Sequence, residues 1–382
     1  MDGIAGKSPA LTWVVNISAL LLVLLWTIPT FGLLISSIRD KDQLATSGWW
    51  TSLASVERNL IERSSAPDTQ VLEAGIYVIT GNVFGTEQGD DLGEVTAFGW
   101  RSQQPTAFEP NTVAQMNKGL TLSVGRNGDY RLTSPVEFTG SRGKRIFITS
   151  IEAPKFTTNN YNEVLFAEGL GRSFLNTMTV TIPATIIPIL IAAFAAYALA
   201  WMEFPGRSIL LVTIVGLLVV PLQMSLIPLL RLYTDIGIGK DYIGIWLAHT
   251  GFGLPLAVYL LRNYIAGLPR EIIESAKVDG ANDYEIFLKI VLPLSFPALA
   301  SFAIFQFLWV WNDLLIATVF LGNNEEQLVM TGRLREMLGS RGGNWEILTA
   351  SAFVSIAVPL VVFFSLQRYL VRGLLSGSVK GG

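Results

Sequence analysis

The chain has 382 residues, of which 51% are hydrophobic and only 15% are charged, and its mean hydropathy is +0.46. This composition lies outside the range of soluble globular domains and indicates a membrane protein. The net charge of −3 argues against nucleic acid as a partner. The absence of cysteine excludes disulfides, thiolate metal sites and cysteine nucleophiles, and a single histidine argues against transition-metal chemistry.

Six stretches are uncharged or nearly so and long enough, at about 20 residues each, to cross the hydrocarbon core of a bilayer. They are residues 8–38, 173–200, 208–230, 242–261, 290–322 and 347–367. The first stretch ends without a small-x-small cleavage site, so we interpret it as a retained helix rather than a signal peptide. The sequence therefore predicts an all-α polytopic membrane protein with six transmembrane helices.

The positions of Lys and Arg in the short loops predict that both termini are cytoplasmic, because this orientation places the larger share of them on the inner side. Residues 1–39 then comprise the cytoplasmic N-terminus and transmembrane helix 1. Residues 40–171 form an extracytoplasmic insert. Residues 172–382 form a five-helix core with a cytoplasmic loop at 268–293 and a C-terminal tail.

The insert is polar, glycine-rich and acidic, and its pattern predicts a small β-rich soluble domain between helices 1 and 2. The pair Asn127-Gly128 lies between two extended runs and predicts a hairpin turn with positive φ at both residues. Residues 75–83 and 145–149 have the Ile, Val, Tyr and Phe content of strands. A structural cap and a docking surface for an extracellular partner are both open as its role.

The cytoplasmic loop predicts a helix, a sharp turn and a second helix. Pro269 suits a first helical turn, residues 270–279 carry good helix formers, and Gly280 is the residue type that ends a helix in a left-handed conformation. Asn282 can cap the next helix, because Glu285 follows at the spacing of a capping box.

The first of these helices is too short to stand alone, because isolated helices below about 12–15 residues are marginal in water. Ile272, Ile273 and Ala276 form a small apolar stripe with acidic residues around it. Helices that lie on lipid usually carry Lys, Arg and large apolar anchors. We therefore favour docking on a protein partner over docking on the lipid surface.

The loop resembles the EAA loop of ABC importer permeases. The residues that carry the resemblance are Glu274, Ser275, Ala276, Gly280, Ile290, Leu292 and Pro293. Ser275 is the one departure, since the family pattern has a second alanine there. Residues 172–177, 196–200, 204–207 and 367–381 resemble the carbohydrate-importer branch. With six spans and this tail, the chain resembles the smaller permease subunit of a maltose-type importer. The long insert after the first span is similar to that of the α-glucoside subgroup.

The resemblance implies the type I ABC importer permease fold in the bacterial inner membrane. It also implies the partners of the chain, which are a second permease subunit in a heterodimer, two ATP-binding subunits, an extracytoplasmic sugar-binding protein and membrane lipid. The chain itself would bind no cofactor, and ATP and Mg²⁺ would belong to the partner ATPase subunits. The sequence agrees, because its Gly-Lys-Ser at residues 6–8 lacks the leading glycine of a phosphate-binding loop.

In this reading, residues 268–293 couple ATP hydrolysis on the partners to alternating access of the membrane helices. Glu274 would pair with a cation on the ATPase, Ala276 would permit close packing, and Gly280 would hold the turn. The tail at 376–382 is placed by the resemblance alone to contact the ATPase subunits.

Ionisable residues inside membrane spans are functional candidates by default, and the predicted spans contain few. The fifth stretch carries Trp309, Trp311, Asn312 and Asp313, and the fourth carries His249. Aromatic and polar side chains together suit a sugar, so the four residues of the fifth stretch are a predicted substrate pathway. Hydrogen bonding between neighbouring helices is the alternative, and for His249 a satisfied interior position is favoured.

Two further features bear on movement and partner contact. Prolines inside spans can bend or break helices, and they fall here at Pro183, Pro188, Pro221, Pro228, Pro255, Pro297 and Pro359. The outer loop at 323–346 contains a glycine-rich run that the resemblance implies contacts the binding protein, with a flexible connector as the alternative. This run consists of Gly339, Ser340, Arg341, Gly342 and Gly343.

Two other protein classes fit the sequence less well. An ion-coupled secondary sugar transporter usually has several membrane carboxylates and an internal repeat, and an intramembrane enzyme needs clustered nucleophiles, bases or metal ligands. The sequence displays neither pattern. We therefore expect a non-enzymatic permease subunit of an ATP-driven importer for α-glucosides or related oligosaccharides, with the particular sugar left open.

Overall fold

A division after Thr158 separates the chain into two units in the computed structural model, which describes residues 9–85, 93–340 and 343–376. The first unit, Met1–Thr158, contains helix α1 (Pro9–Ser37) and the β-rich insert. The second unit, Asn159–Gly382, contains the remaining helices. The division thus precedes the boundary expected at Gly171. The expected cytoplasmic residues 1–8 and most of the tail at 376–382 lie outside the described residues.

After α1, the first unit continues with one short helix and eight strands. These are α2 (Lys41–Thr46), β1 (Val56–Arg63), β2 (Val71–Glu73), β3 (Ile76–Asn82), β4 (Glu94–Gly99), β5 (Val113–Gln115), β6 (Thr121–Val124), β7 (Asp129–Ser134) and β8 (Arg145–Glu152). A single turn of 3₁₀-helix at Trp49–Thr51 follows α2. The strands expected at residues 75–83 and 145–149 are present as β3 and β8.

The strands form two antiparallel sheets, of order β1-β8-β4 and β2-β3-β7-β6-β5. Side chains alternate between exposed and buried along β7, as expected for a strand with one covered face. One hydrophobic cluster joins buried residues of both sheets, including Ile79, Phe98, Leu122, Leu132 and Ile148. The two sheets therefore pack on each other around a common core.

The turn between β6 and β7 differs from the prediction in one torsion. Gly128 has φ of +87°, but Asn127 does not have a positive φ. The N–H of Gly128 donates to the carbonyl of Gly125 at 3.0 Å, and the N–H of Gly125 donates to the carbonyl of Asp129 at 2.7 Å. This is a type I turn followed by a left-handed glycine. The Asn127 side chain supports it by accepting from the N–H of Asp129 at 3.2 Å.

Arg39 ties the end of α1 to the insert. Its side chain is 1% exposed. The guanidinium donates to the carbonyls of Gln43, Ser47 and Gly48 at 3.2, 2.9 and 3.1 Å, and to the Ser47 hydroxyl at 2.6 Å. Burial lowers the pKa of the Arg39 guanidinium from its ordinary value. The four oxygen acceptors offset the water that the charge loses.

The described residues of the second unit form helices joined by turns and loops, with no strand among them. Its elements are α3 (Asn159–Asn162), α4 (Leu170–Trp201), α5 (Arg207–Leu217), α6 (Leu222–Asp235), α7 (Tyr242–Ile265), α8 (Arg270–Val278), α9 (Asp283–Ile286), α10 (Leu292–Leu294), α11 (Phe296–Trp311), α12 (Leu315–Phe320), α13 (Met330–Ser340) and α14 (Trp345–Ser376). Single turns of π-helix at Glu163–Ala167 and Phe287–Val291 precede α4 and α10.

Among the described residues, four helices are long and apolar enough to cross a membrane, namely α1, α4, α7 and α14. Two bent pairs of helices pass the same test together. The pair α5 and α6 bends by 105°, and the segment Asp283–Leu294 bends by 69° against α11. By length and composition, the described residues thus contain four candidate spans, or six if each bent pair is one span. The predicted third and fifth stretches coincide with these bent pairs, and both stretches contain prolines that were expected to bend or break a helix.

Prolines lie at both breaks. Pro221 is the N-cap of α6, and Pro297 lies in the first turn of α11. Proline has no N–H to donate, and the first turn of a helix leaves its N–H groups unpaired, so these are the positions at which proline is best tolerated. The other five prolines that were expected to bend or break spans lie inside α4, α6, α7 and α14, which continue through them.

Small residues allow α4 to approach its neighbours closely. Ala192, Ala193 and Ala196 are buried in one cluster with residues of α7, α8 and α11, and small side chains are the usual means of close packing between membrane helices. Arg207 closes the end of α4, because its guanidinium donates to the carbonyls of Leu199, Ala200 and Met202 at 2.9, 3.0 and 3.2 Å. A cation at a helix C-terminus also complements the helix dipole.

Candidate functional site

The predicted short helix of the cytoplasmic loop is present as α8. Ile273 and Ala276 are buried in the cluster that contains Ala192, Ala193 and Ala196. Ile272, which was expected in the same apolar stripe, is instead exposed. Neighbouring residues point about 100° apart around a helix, so Ile272 lies to one side of the face that buries Ile273 and Ala276. Ala276 therefore packs closely against this chain's own core.

The turn after α8 pairs carbonyl groups of the last helical turn in the predicted way. Gly280 has φ of +82°. Its N–H donates to the carbonyl of Lys277 at 3.1 Å, and the N–H of Ala281 donates to the carbonyl of Ala276 at 3.0 Å. These two bonds form a Schellman motif, in which the left-handed residue is usually glycine. The half-buried Ala281 packs on the same core cluster as Ala276.

The capping box after the turn is confirmed. The N–H of Glu285 donates to Asn282 Oδ1 at 2.9 Å, and the N–H of Asn282 donates to Glu285 Oε2 at 3.2 Å. Helix α9 then passes into the π turn Phe287–Val291 and into α10. Ile290 and Leu292 are half-buried against the same cluster, and Pro293 is exposed in the first turn of α10. The matching residues of the EAA pattern after Gly280 thus hold the loop to the core.

Tyr197 connects this loop to α4, a helix of 32 residues. Its hydroxyl donates to Asp283 Oδ1 at 3.0 Å, and its ring lies 5.5 Å from that of Phe287. Lys277 Nζ lies 3.7 Å from the same Asp283 oxygen. In the sequence, Tyr197 stands out only as part of the segment 196–200 that carries the family resemblance. Its role depends on a contact across 86 residues, which no local pattern reports.

The surface that α8 leaves open carries charges of both signs, including exposed Arg270 and Lys277, with apolar side chains among them. Glu271 and Glu274 are exposed, and Val278 is 87% exposed. Glu274 Oε1 accepts from Arg270 Nε at 2.8 Å within the same helix. An exposed i,i+4 pair contributes little to stability, so Glu274 can exchange Arg270 for another cation. Ser275 is exposed, and its hydroxyl donates to the carbonyl of Ile272 at 3.1 Å.

The predicted substrate pathway does not come together at one surface. Trp311 is 1% exposed, and its indole N–H donates to the carbonyl of Ser355 on α14 at 2.9 Å. Its ring packs against those of Phe174 and Phe307. Trp311 therefore serves helix packing in this structure and offers no surface to a sugar. Asn312 is exposed, and its Nδ2 donates to the carbonyl of Leu308 at 2.8 Å.

Asp313 and His249 lie next to each other. Asp313 Oδ2 accepts from the N–H of Ala317 at 2.9 Å and thereby caps the start of α12. His249 is fully buried, and its Nε2 lies 3.9 Å from Asp313 Oδ2, beyond hydrogen-bond distance. The Trp309 ring meets the imidazole edge-on at 5.6 Å. The break between α11 and α12 thus gathers one acid, one imidazole and one indole.

A cavity of about 310 Å³ lies at the bend between α5 and α6, against α7. Its lining is mostly apolar, with Ser225 and Tyr233 among its polar residues. None of the four predicted pathway residues lines it. The sequence signal that marks this place is Pro221, which was noted as a residue able to break a span.

The predicted partner-contact loop begins inside a helix. Gly339 and Ser340 are the last residues of α13, while Arg341 and Gly342 lie outside the described residues and Gly343 follows them exposed. The approach to α13 is fixed, because Asn176 Nδ2 donates to the carbonyls of Glu326 and Leu328 at 2.9 and 3.1 Å. Residues 339 and 340 are therefore part of α13, and the contact of this run with a binding protein stays a prediction.

Comparison with known protein families identifies the family to which this chain belongs. The model of the family described as "binding-protein-dependent transport system inner membrane component" matches residues 172–376, which is more than half of the chain. The chain belongs to this family. It is a multi-pass inner-membrane permease subunit of an ABC importer with the type I permease fold. ATP hydrolysis belongs to partner subunits of such importers, so this inner membrane component is not an enzyme.

Two relatives illustrate the range of similarity. The α-glucoside transport system permease protein AglG of Rhizobium meliloti is 65% identical over 381 residues, which is 98% of this chain and 99% of AglG. The osmoprotective compounds uptake permease protein GgtD of Synechocystis is 57% identical over 235 residues, which is 62% of this chain and 79% of GgtD. This chain thus matches AglG over almost its full length, insert included.

Among solved structures, a bacterial ABC transporter involved in the import of the acidic polysaccharide alginate resembles this inner membrane component. The match covers 57% of this chain and 81% of that chain, with 24% sequence identity and a TM-score of 0.47.

Proposed function

We propose that this permease subunit carries an α-glucoside across the inner membrane. The observation that carries the proposal is the 65% identity with the α-glucoside permease AglG over 98% of the chain. That alignment extends through the first unit, so the insert as well as the helical core is shared with a protein named for this substrate class. Maltose, sucrose and trehalose are the first sugars to test.

A second substrate class has one observation in its favour. The permease GgtD, named for osmoprotective compounds, is 57% identical over 62% of this chain. Its match is shorter than that of AglG by more than a hundred residues. Because the match to AglG is both closer in identity and complete in length, the α-glucoside class is the stronger candidate.

The assembly that this function needs has four further subunits besides this chain. They are a second permease, two ATP-binding subunits and an extracytoplasmic sugar-binding protein, and the ATP and Mg²⁺ belong to the ATP-binding pair. The exposed surface of α8, which includes Glu271, Glu274 and Val278, is the surface that would dock on an ATP-binding subunit. Ile273 and Ala276 are buried, so the other side of the helix packs on this chain's own core.

In the proposed topology both termini are cytoplasmic and residues 40–171 are extracytoplasmic. This arrangement puts α8 on the side where ATP is available, and it puts the insert on the side of the binding protein. The glycine-rich run at 339–343 would then lie on the outer side, beside the binding protein. For the sugar pathway, half-buried Trp309 and exposed Asn312 are the candidates that keep an accessible surface.

Transport in proteoliposomes tests the proposed substrate. The complete complex is reconstituted with its binding protein, and ATP-dependent uptake of labelled maltose, sucrose and trehalose is compared with uptake of osmoprotective compounds. We expect uptake of at least one of the three glucosides that depends on both ATP and the binding protein. Uptake confined to osmoprotective compounds would replace the α-glucoside assignment with the second candidate.

Crosslinking tests the proposed docking surface. The chain has no cysteine, so Val278→Cys places a single reactive group on the exposed side of α8. Leu338→Cys on α13, which is also exposed, is the matched control. We expect Val278→Cys to crosslink to an ATP-binding subunit and Leu338→Cys not to do so. Crosslinks from Val278→Cys to lipid alone would refute the docking surface.

A further inference from the structure

The first unit carries an exposed pair of apolar side chains beside the end of its membrane helix. The turn after α2, residues 48–53, presents Trp50 at 74% exposure and Leu53 at 83% exposure. We call these six residues the aromatic turn. Contact between large apolar side chains and water costs free energy, and burial against another apolar surface removes that cost.

Arg39 holds the aromatic turn against α1. The guanidinium donates to the carbonyls of Ser47 and Gly48 at 2.9 and 3.1 Å, so the chain that leaves α1 at residue 37 is drawn back beside it ten residues later. Arg39 is itself buried. The return of the chain is therefore fixed by charge-assisted hydrogen bonds and is not a chance position of a surface loop.

The contact of Trp49 with α1 gives the depth of the turn. Its ring meets the Phe31 ring edge-on at 6.2 Å, and a Cβ added to Gly32 would lie 2.6 Å from the indole nitrogen. The absence of a side chain at Gly32 is thus what admits the indole. Gly32 lies five residues before the end of α1, or about 7.5 Å along the axis at 1.5 Å per residue.

Trp50 continues this aromatic surface outward from the helix. Its ring meets that of Trp49 edge-on at 6.1 Å. A depth of about 7.5 Å below the end of a membrane helix falls in the boundary between headgroups and acyl chains, where interfacial segments bury about 5–10 Å. Tryptophan is enriched at this level because its ring is apolar and its N–H is polar.

We propose that the aromatic turn is a membrane foot of the insert, with Trp50 and Leu53 inserted among lipid at the surface where α1 ends. The lipid surface is the occupant because the turn continues the exposed apolar surface of α1, whose residues from Leu11 to Phe31 are almost all exposed. The foot would hold the base of the two-sheet insert at a set height on the membrane. It requires α1 to span the membrane but does not depend on which sugar is carried.

Collision measurements on a spin label test the membrane foot. Because the chain lacks cysteine, Trp50→Cys and Leu53→Cys each accept a single nitroxide in the complete complex, assembled from cysteine-free partner subunits. The complex is placed in vesicles of phosphatidylethanolamine and phosphatidylglycerol. Oxygen concentrates in lipid and a nickel chelate stays in water, so the ratio of their collision rates reports depth. Val136→Cys, on an insert residue that is 68% exposed, is the control.

We expect the oxygen-to-nickel ratio at positions 50 and 53 to exceed that at position 136 several-fold. A ratio equal to that of the control would overturn the proposal, because the turn would then lie in water. An immobilised label with few collisions of either kind would overturn it too, since a protein partner would then cover the turn. Leu53→Cys keeps both tryptophans, so the test survives if Trp50→Cys does not assemble. Sugar uptake, measured in the same vesicles, reports separately on the proposed function.

Discussion

The hydroxyl of Tyr197 on α4 donates a hydrogen bond to Asp283 at the first residue of α9, across 3.0 Å. Helix α4 is 32 residues long and is one of the candidate membrane spans, whereas α9 follows α8 directly in the loop at 268–293. This bond and the contact between the Tyr197 and Phe287 rings are therefore a direct mechanical connection between the loop and a membrane helix.

Tyr197→Phe should weaken that connection while keeping the ring contact. The substitution removes one net hydrogen bond, worth about 1 kcal/mol, and leaves the packing on Phe287 unchanged. We expect the amount of sugar transported per ATP hydrolysed to fall several-fold in proteoliposomes, with the complex still assembled. The measurement is the ratio of uptake to phosphate release.

Tyr264→Phe is the matched control for Tyr197→Phe. The Tyr264 hydroxyl donates to the carbonyl of Leu294 at 3.3 Å, a longer bond to a carbonyl outside α8 and α9. We expect this variant to keep the native ratio of uptake to hydrolysis. Equal ratios in both variants would mean that the loop moves α4 without the Tyr197 bond.

Gly280→Ala should uncouple hydrolysis from uptake through backbone strain alone. No atom lies within 4 Å of a Cβ added at Gly280, so the substitution causes no clash. Its φ of +82° nevertheless costs an L-residue about 1–2 kcal/mol, which disfavours the Schellman turn that holds α8. We expect ATP hydrolysis to continue while uptake falls, measured in proteoliposomes.

Two substitutions separate strain from the mere addition of a methyl group. Gly216→Ala on α5 also meets no atom within 4 Å but has ordinary helical torsions, and we expect no loss of uptake. Gly280→Asn should recover part of the uptake, because asparagine tolerates the left-handed region better than alanine. Native coupling in Gly280→Ala would remove the turn from the coupling mechanism.

The loop at 268–293 was predictable in detail because its signals are local. Gly280 at a helix end and Asn282 three residues before Glu285 each determine hydrogen bonds within six residues, and all of these bonds are present. The strands β3 and β8 were predictable for the same reason. By contrast, the Tyr197 to Asp283 bond joins positions 86 residues apart, and Arg39 binds its acceptors only after the chain reverses.

The positions of the apolar helices were predictable from the sequence, but which side of each helix faces the protein interior was not. Helix α11 is apolar almost all round, so periodicity cannot tell which of Trp309 and Trp311 faces the protein interior. The predicted pathway therefore grouped a buried tryptophan with an exposed asparagine. The breaks at Pro221 and Pro297 were open to prediction as weak points, but the angles of 105° and 69° depend on tertiary packing.

Trp311→Phe should lower stability without changing sugar recognition. The variant loses the hydrogen bond from the indole to the carbonyl of Ser355 and leaves space in a packed cluster with Phe174 and Phe307. A buried hydrogen bond lost in this way costs about 1–3 kcal/mol. We expect a lower midpoint of thermal unfolding in detergent and an unchanged KM for sugar uptake.

Trp309→Phe provides the contrast on the same helix. Trp309 is half-buried beside His249, so the loss of packing should be smaller and the thermal midpoint closer to native. If Trp309 contacts sugar, the KM for uptake rises in this variant alone. A raised KM with native stability in Trp311→Phe would instead return Trp311 to the substrate pathway.

Asp313 should act as a hydrogen-bond acceptor rather than through its negative charge. Its Oδ2 accepts from the N–H of Ala317 and caps α12, and an asparagine at this position can make the same bond. We expect Asp313→Asn to keep native thermal stability and uptake. Asp313→Ala removes the cap and should lower stability by about 1 kcal/mol, measured by thermal unfolding. If Asp313→Asn folds normally but loses uptake, the negative charge beside His249 takes part in transport, and the capping role is then insufficient to explain this residue.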